Sequence, residues 1–277
     1  MKQHDNTRTV FANGVFFEEY GDRAAPPLLL IHGSTMTGAQ DFVSCSNMAE
    51  RFAKRYRVIV PDCPGHGRSH NKQNWDDLGH LGAPLYYSFS GMAATLAQFL
   101  AVLDASPAYV IGHSNGGNIA LYMAVEQPQH TRAAVLLAAN AYIDDHLRQR
   151  VPVNMDPDHV AQHAPEWMHE MITLHDSHHG SGYWRDLLRA TILETITNPD
   201  WTAAHLKHVQ TPCLCLQGEN DRVNAPGQHA QTLHDWLPNS QLWIPSGIGH
   251  SVHHEIPDQF EEKVTNFFTH ATYDEKS

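Results

Sequence analysis

Positive charge is scarce in this chain. Lys and Arg number 18 against 30 Asp and Glu, for a net charge of −12 with histidine neutral. Such a surface repels phosphate backbones and anionic membranes, so no nucleic acid partner is expected. Cysteine is scarce too: Cys45, Cys63, Cys213 and Cys215 are the only four, and none has zinc-finger spacing. Cys213 and Cys215 sit two apart in an apolar run, which puts both on one side of a strand as small core residues. A reducing compartment fits this usage, and a cytoplasmic location is expected. No run of about 18 apolar residues exists, which excludes a helical membrane span. The opening residues, Met1 to Thr9, are polar and lack the apolar stretch of a secretory signal. Internal repeats and low-complexity linkers are missing as well.

What is present reads as globular. Hydrophobic residues make up 42% and charged residues 17% of 277, and a chain of this length buries a core without disulfide or metal staples. Histidine is the compositional oddity, with 22 copies. Many fall in the middle third: His146, His159, His163, His169, His175, His178 and His179. His175 and His179 are spaced i, i+4, which suits metal chelation on a helix. Without acidic partners in a compact pattern, the group reads instead as a solvated surface that gains charge as pH falls toward about 6.

Thr9–Phe11 and Val15–Tyr20 flank Asn13-Gly14 and predict a hairpin. Leu28–Ile31, Arg57–Val60, Ala108–Ile111 and Arg132–Ala138 are short apolar runs typical of strands buried on both faces. Helical spacing covers Met48–Tyr56, Ser88–Leu103 and Asn118–Glu126. Alternating strands and helices imply right-handed crossovers and a mostly parallel sheet. From about Tyr142 to Leu206 the strand signal disappears. Pro152, Pro157 and Pro165 punctuate this stretch, and Trp184–Thr197 is its clearest helix. It reads as a helical lid inserted into the α/β core. The pattern resumes with strands at Pro212–Leu216 and Gln241–Ile244 and helices at His229–Trp236 and Glu255–His270. The expected division is a core of 1–141 and 207–277 with a lid of 142–206.

The strongest chemical signal is Gly112-His113-Ser114-Asn115-Gly116, a G-x-S-x-G directly after a strand and before a helix. A serine there stands at the C-terminal edge of the sheet in a strained turn. A serine hydroxyl needs a base, and His250, in Gly249-His250, follows the last strand; His253 and His254 are rivals. The base needs a carboxylate to orient it. Asp221, just past a strand end in Gly218-Glu219-Asn220-Asp221, is the candidate and Glu219 the rival. Two amide donors must meet the oxyanion. They are expected from Asn115, directly after the nucleophile, and from Ser34, with Thr35 in reserve. Pro61 to Ser69 turns the chain sharply and reads as structural, with no catalytic role for Asp62 or Cys63. Tyr142, Trp167, Met168, Met171, Tyr183 and Trp184 are candidates to line an apolar substrate pocket, and the Asn115 side chain is a candidate to bond a polar substituent of the substrate.

With Ile31-His32-Gly33, Pro64-Gly65-His66-Gly67-Arg68-Ser69, the Ser114 turn, Gly218 to Asp221 and Gly249-His250 in hand, the chain resembles the α/β-hydrolase superfamily along nearly its whole length. That resemblance implies an α/β-hydrolase fold: a mostly parallel eight-stranded sheet flanked by helices, with a lid. More narrowly, the chain is similar to the valacyclovirase-like branch, which hydrolyses α-amino-acid esters. Gly33 to Phe42, Ala139-Asn140-Ala141-Tyr142 and Ser114-Asn115-Gly116-Gly117 carry this similarity. That branch has an aspartate after the nucleophile, which binds the substrate ammonium. Asn115 is neutral here, so the resemblance implies fold, triad and ester chemistry but not that substrate.

The reading is a serine hydrolase of small-molecule carboxylic esters acting through an acyl-enzyme, with no metal or organic cofactor. The same triad serves lactone opening, cleavage of carbon–carbon bonds in dienone acids, and acyl transfer. A non-catalytic ligand receptor on the same fold is the alternative of another class. Oligomeric state is left open.

Overall fold

The structure, a computed structural model, describes residues 8–70, 87–224 and 228–273. Eight strands form one sheet: β1 (Arg8–Ala12), β2 (Val15–Tyr20), β3 (Pro27–Ile31), β4 (Arg57–Pro61), β5 (Ala108–His113), β6 (Thr131–Leu137), β7 (Cys213–Leu216) and β8 (Ser240–Trp243). Their order is β1-β2-β4-β3-β5-β6-β7-β8. The β1–β2 hairpin and the β2–β4 pair are antiparallel, and every other pairing is parallel. The architecture is the mostly parallel sheet expected from the alternating pattern, with the eight strands that the resemblance implies.

Side-chain alternation divides the core into two layers. Leu29, Ile31, Val110, Leu136, Cys213 and Cys215 face α2 (Phe89–Val102), α3 (Asn115–Glu126) and α10 (Gln228–Trp236). Leu28, Leu30, Ile111, Val135, Leu214 and Leu216 face α1 (Met48–Phe52) and α12 (Pro257–Tyr273) through Phe52, Phe260 and Phe268. The central strands are thus apolar on both faces, which is why they read as unbroken runs rather than alternating ones. Cys213 and Cys215 share a layer as their spacing requires, and all four cysteines are free thiols.

Between β6 and β7 lie α4 (Asp145–Asn154), α5 (Pro157–His163), α6 (Pro165–Met171), α7 (Ser177–His179), α8 (Tyr183–Thr195) and α9 (Ala203–Leu206). Asp144 and Asp156 cap α4 and α5 by accepting from the amides of Leu147 and of Asp158 and His159. Val160, Met171, Trp184 and Leu188 form a small core of their own within this segment. A short helix, α11 (Val252–Glu255), precedes α12. No helix among the described residues is long and apolar enough to cross a membrane.

Candidate active site

The turn between β5 and α3 carries Ser114 with φ 56° and ψ −120°. A non-glycine residue in that region is strained, and its surroundings must hold it there. Ser114 N donates to Leu137 O at 2.8 Å, and Ser114 O accepts from Asn118 N at 3.1 Å. The flanking glycines are required by packing. A Cβ on Gly112 would lie 1.9 Å from Gly116 O, and one on Gly116 would lie 2.1 Å from Ile31 O. The result is a serine at the C-terminal edge of the sheet, half-buried, with the N-terminus of α3 directly behind it.

His250 lies in the loop after β8. Its Nδ1 is 2.9 Å from both carboxylate oxygens of Asp221, which follows β7. A carboxylate accepts only, so Nδ1 carries a proton, which in the neutral ring leaves the lone pair on Nε2. Asp221 is fully buried and also accepts from Gln217 Nε2 and from the amides of Val223 and Asn224. Burial pushes its pKa up. The His250 hydrogen bond and charge, with those two amides, outweigh burial and hold the carboxyl below its ordinary range. The rival Glu219 is turned elsewhere: it accepts from Ser246 Oγ at 2.6 Å and Gly247 N at 2.9 Å.

Ser114, His250 and Ser34 border one cavity of ≈ 530 Å³, together with Thr35 and, from the helical segment, Trp167. That is within the usual range for small-molecule sites. Asn115 opens α3, so its N–H is among the helix's donors with no intrahelical acceptor. Gly33 N is already committed to Asp41 Oδ2 at 3.0 Å, and the next two residues of that loop, Ser34 and Thr35, line the cavity.

Other expectations need correction. The Asn115 side chain is buried in a polar network: its amide donates to Tyr87 Oη and Thr195 Oγ1, both at 3.4 Å, and its oxygen accepts from Asn118. Met171 and Trp184 are packed inside the helical segment's own core, because that segment must bury an apolar face of its own. Tyr142 stacks near His229 and Trp236 and accepts from Gln228. Met168 packs against the helical segment's core, and Tyr183 Oη donates to Gly65 O. Nor is the histidine-rich stretch simply a solvated surface. His175 is fully buried: Gly67 N donates to its Nδ1 at 2.9 Å, and its Nε2 donates to Thr35 O at 2.8 Å. Burial lowers its pKa to about 4. Its partner in the i, i+4 pair, His179, stacks on Tyr183 instead. Asp62 and Cys63 have structural contacts: Asp62 accepts from Gly38 N and Arg68 N, and Cys63 N donates to His32 Nε2.

Asp41 was not singled out by sequence reasoning, although its carboxylate meets four groups beside the site. It is fully buried. Oδ2 accepts from Gly33 N and lies 2.9 Å from His113 Nδ1, while Oδ1 lies 2.8 Å from His253 Nε2 and 2.9 Å from His254 Nε2. One carboxylate therefore ties the loop carrying Ser34, the residue before Ser114, and the helix after His250. Burial opposes its charge, but His113 and His253 hold its pKa well below the ordinary value. Burial drops His253 to about 3, whereas His254, also opposed by burial, is raised by its bonds to Asp41. The signal in the sequence was the run Val252-His253-His254, whose histidines are committed to Asp41 and so do not rival His250.

Asp41, His253 and His254 also bring three donor atoms within 4.8 Å of one another, which is the geometry a metal ion needs. Each Nε2 already faces Oδ1, and His253 Nδ1 is buried with no hydrogen-bond partner. A metal-bound imidazole would need an acceptor for that N–H. The donor set suits a hydrogen-bonded carboxylate better than an ion.

A family model described as alpha/beta hydrolase fold matches residues 26–173. The chain is similar to an uncharacterized hydrolase, YugF, of Bacillus subtilis, with 25% identity over 94% of this chain and 96% of the relative. It is similar to the pimeloyl-[acyl-carrier protein] methyl ester esterase of Xanthomonas campestris pv. campestris, with 28% identity over 87% of this chain and 94% of the relative. In structure it resembles a meta-cleavage product hydrolase from Pseudomonas fluorescens IP01, with a TM-score of 0.71 at 19% identity, covering 95% of this chain and 98% of that one.

Proposed function

The chain belongs to the alpha/beta hydrolase fold family, and from that premise we propose that it is a serine hydrolase cleaving small-molecule carboxylic esters through an acyl-enzyme. The observation that carries the reading is the double Nδ1 contact of His250 with buried Asp221, on the same cavity as the strained Ser114. With Nδ1 protonated and held by Asp221, His250 Nε2 is the base. Ser114 Oγ attacks the ester carbonyl as Nε2 takes its proton. The tetrahedral oxyanion accepts from the amides of Asn115 and Ser34. Collapse breaks the carbonyl carbon–alkoxy bond, and the His250 imidazolium protonates the departing alcohol. Water then gives its proton to Nε2, attacks the acyl carbon, and Ser114 leaves with the proton returned. Asp221 stays ionised throughout and stabilises the imidazolium.

The 142–206 segment acts as a lid over the 1–141 and 207–277 core in this reading, since Trp167 borders the cavity from the lid side. Alpha-amino-acid esters are disfavoured substrates. The side chain that would meet their ammonium is a neutral amide already bonded to Tyr87 and Thr195. The test is covalent labelling with a fluorophosphonate, alongside hydrolysis of 4-nitrophenyl esters. Labelling and turnover are expected in the native protein and absent in Ser114→Ala. Labelling of another serine in that variant would overturn the assignment.

A further inference from the structure

Most of the cavity wall is apolar, with Met36, Val151, Met155, Trp167 and Val223 contributing. Two arginines break that pattern, Arg150 from α4 and Arg222 from the loop that carries Asp221. Among the described residues neither forms an ion pair, although most of the other arginines do. The chain is strongly acidic, with 30 Asp and Glu against 18 Lys and Arg, so two unpaired guanidiniums on one cavity stand out. The single acid on the same wall, Glu170, is engaged by Gln40 Nε2.

The elements that carry these two exposed side chains are tied together. His146 Nε2 donates to Val223 O at 3.0 Å, which docks α4 on the loop next to Arg222. Arg150 is one turn further along α4, on the same face as His146, and Asn154 after it also lines the cavity. One guanidinium thus comes from the helical segment and one from the core, on the cavity that holds Ser114 and His250.

Resting on the hydrolase reading above, we infer that the substrate is an ester that also carries a free carboxylate, separated from the scissile carbonyl by an apolar spacer. The arginines receive the carboxylate, by forked hydrogen bonds of the kind guanidinium makes with carboxylates. The apolar wall receives the spacer. Bridging α4 to the Arg222 loop, such a substrate would hold the helical segment against the core.

The test compares 4-nitrophenyl hydrogen glutarate with 4-nitrophenyl pentanoate, which match in chain length and differ in the terminal carboxylate. The native protein is expected to favour the glutarate in kcat/KM by about tenfold or more. The ratio should fall toward one in Arg150→Gln/Arg222→Gln and shrink as salt is raised. A ratio of one or less in the native protein, or a ratio unchanged in the double variant, overturns the carboxylate inference, while Ser114-dependent turnover of the pentanoate keeps the hydrolase reading. If neither ester is turned over, the hydrolase reading falls. The arginine site is then judged by calorimetric binding of both esters to Ser114→Ala. Tighter binding of the glutarate by about tenfold, lost when both arginines are replaced, supports it; equal affinity overturns it.

Discussion

Replacing Asp41 with Asn keeps the shape of the side chain and removes its charge, and the geometry says why that change is severe. All four groups around the carboxylate present donors: Gly33 N and His113 Nδ1 to Oδ2, His253 Nε2 and His254 Nε2 to Oδ1. An amide has one accepting oxygen and one donating nitrogen, so either orientation sets its NH2 against a pair of donors. Suppose the oxygen stays on His253 and His254. His113 can then change tautomer, placing its proton on Nε2, 3.4 Å from Ser251 Oγ, and accept from the new amide. Gly33 N–H has no such freedom and becomes a buried orphan. An orphaned buried donor costs about 1–3 kcal/mol, and a lost bond to a charged acceptor about 1.5–3 kcal/mol, so the variant should lose roughly 3–5 kcal/mol. For a chain of this size that is a fall in Tm of about 6–15 °C. Urea unfolding should show a lower midpoint at an unchanged slope. Gly33 leads into Ser34, so kcat for a 4-nitrophenyl ester should also drop by about tenfold or more with a smaller change in KM. A midpoint equal to that of the native protein, with kcat within about twofold, would refute the role given to Asp41.

Asp221→Asn should reduce kcat by about 10⁴-fold, because the wrong tautomer of His250 is then favoured. Glu219→Gln should leave kcat near normal, since Glu219 serves the Ser246-Gly247 turn; the reverse pattern in steady-state kinetics would exchange their roles. Gly116→Ala should fail to fold or lose more than about 4 kcal/mol, because its Cβ would meet Ile31 O at 2.1 Å; soluble, fully active protein would contradict the packing. The protein should also weaken in mild acid. His253 and His175 titrate at about 3 and about 4 in the folded chain against 6.5 when exposed. Both values are depressed, so this stability is fully present above the exposed value and is lost as pH falls through the window toward the folded ones. At about 1.4 kcal/mol per pH unit per proton, the pair should cost about 3 kcal/mol between pH 6.5 and 5. His254, with its raised pKa, contributes the opposite slope, as its stabilisation is lost above its folded value. Unfolding free energies from urea titrations across that range measure the balance; a flat profile would refute burial of the two neutral rings.

Strand positions were legible, and Ser114, Asp221 and His250 could be singled out as candidates, because each rests on local pattern. A strand buried on both faces reads as an apolar run, and a strained turn packed on both sides demands Gly112 and Gly116. Helix ends were less legible. Helical spacing runs from Met48 to Tyr56, but the α-helix ends at Phe52. The spacing cannot tell a helix from the turn that follows it, because Phe52 and Tyr56 both pack into the same layer. What stayed hidden depends on contacts between distant segments. Asp41 and His253 are separated by 212 residues, and nothing near either one announces the other. His175 looked like one of many surface histidines because its two partners, Thr35 and Gly67, lie in core loops more than a hundred residues away. Trp167 borders the cavity, but the other pocket candidates pack elsewhere, for a related reason. An aromatic or Met in an amphipathic helix signals burial, and periodicity does not say whether it is buried against substrate or against another helix.

Asn115 illustrates how those long-range contacts move the question of specificity. Its neutrality raised doubt about ammonium-bearing substrates, and its side chain was a candidate to bond a polar substituent of the substrate. In the fold it has other work. Its amide links Tyr87 to Thr195 at the end of α8, and through Asn118 it joins Asn140, where the helical segment departs from β6. A side chain held by that many buried partners links core to helical segment, and is poorly free to reorient toward a substrate. The carboxylate inference assigns charge recognition to side chains with no ion-pair partner among the described residues. Arg150 and Arg222 meet that condition on the Ser114 cavity. Their positive charge is the sign that a substrate carboxylate requires. A site with a neutral amide at position 115 and two cations on its cavity wall fits the carboxylate-bearing substrate inferred above, so Asn115→Asp should disturb the junction of core and helical segment more than it alters the preference for charge.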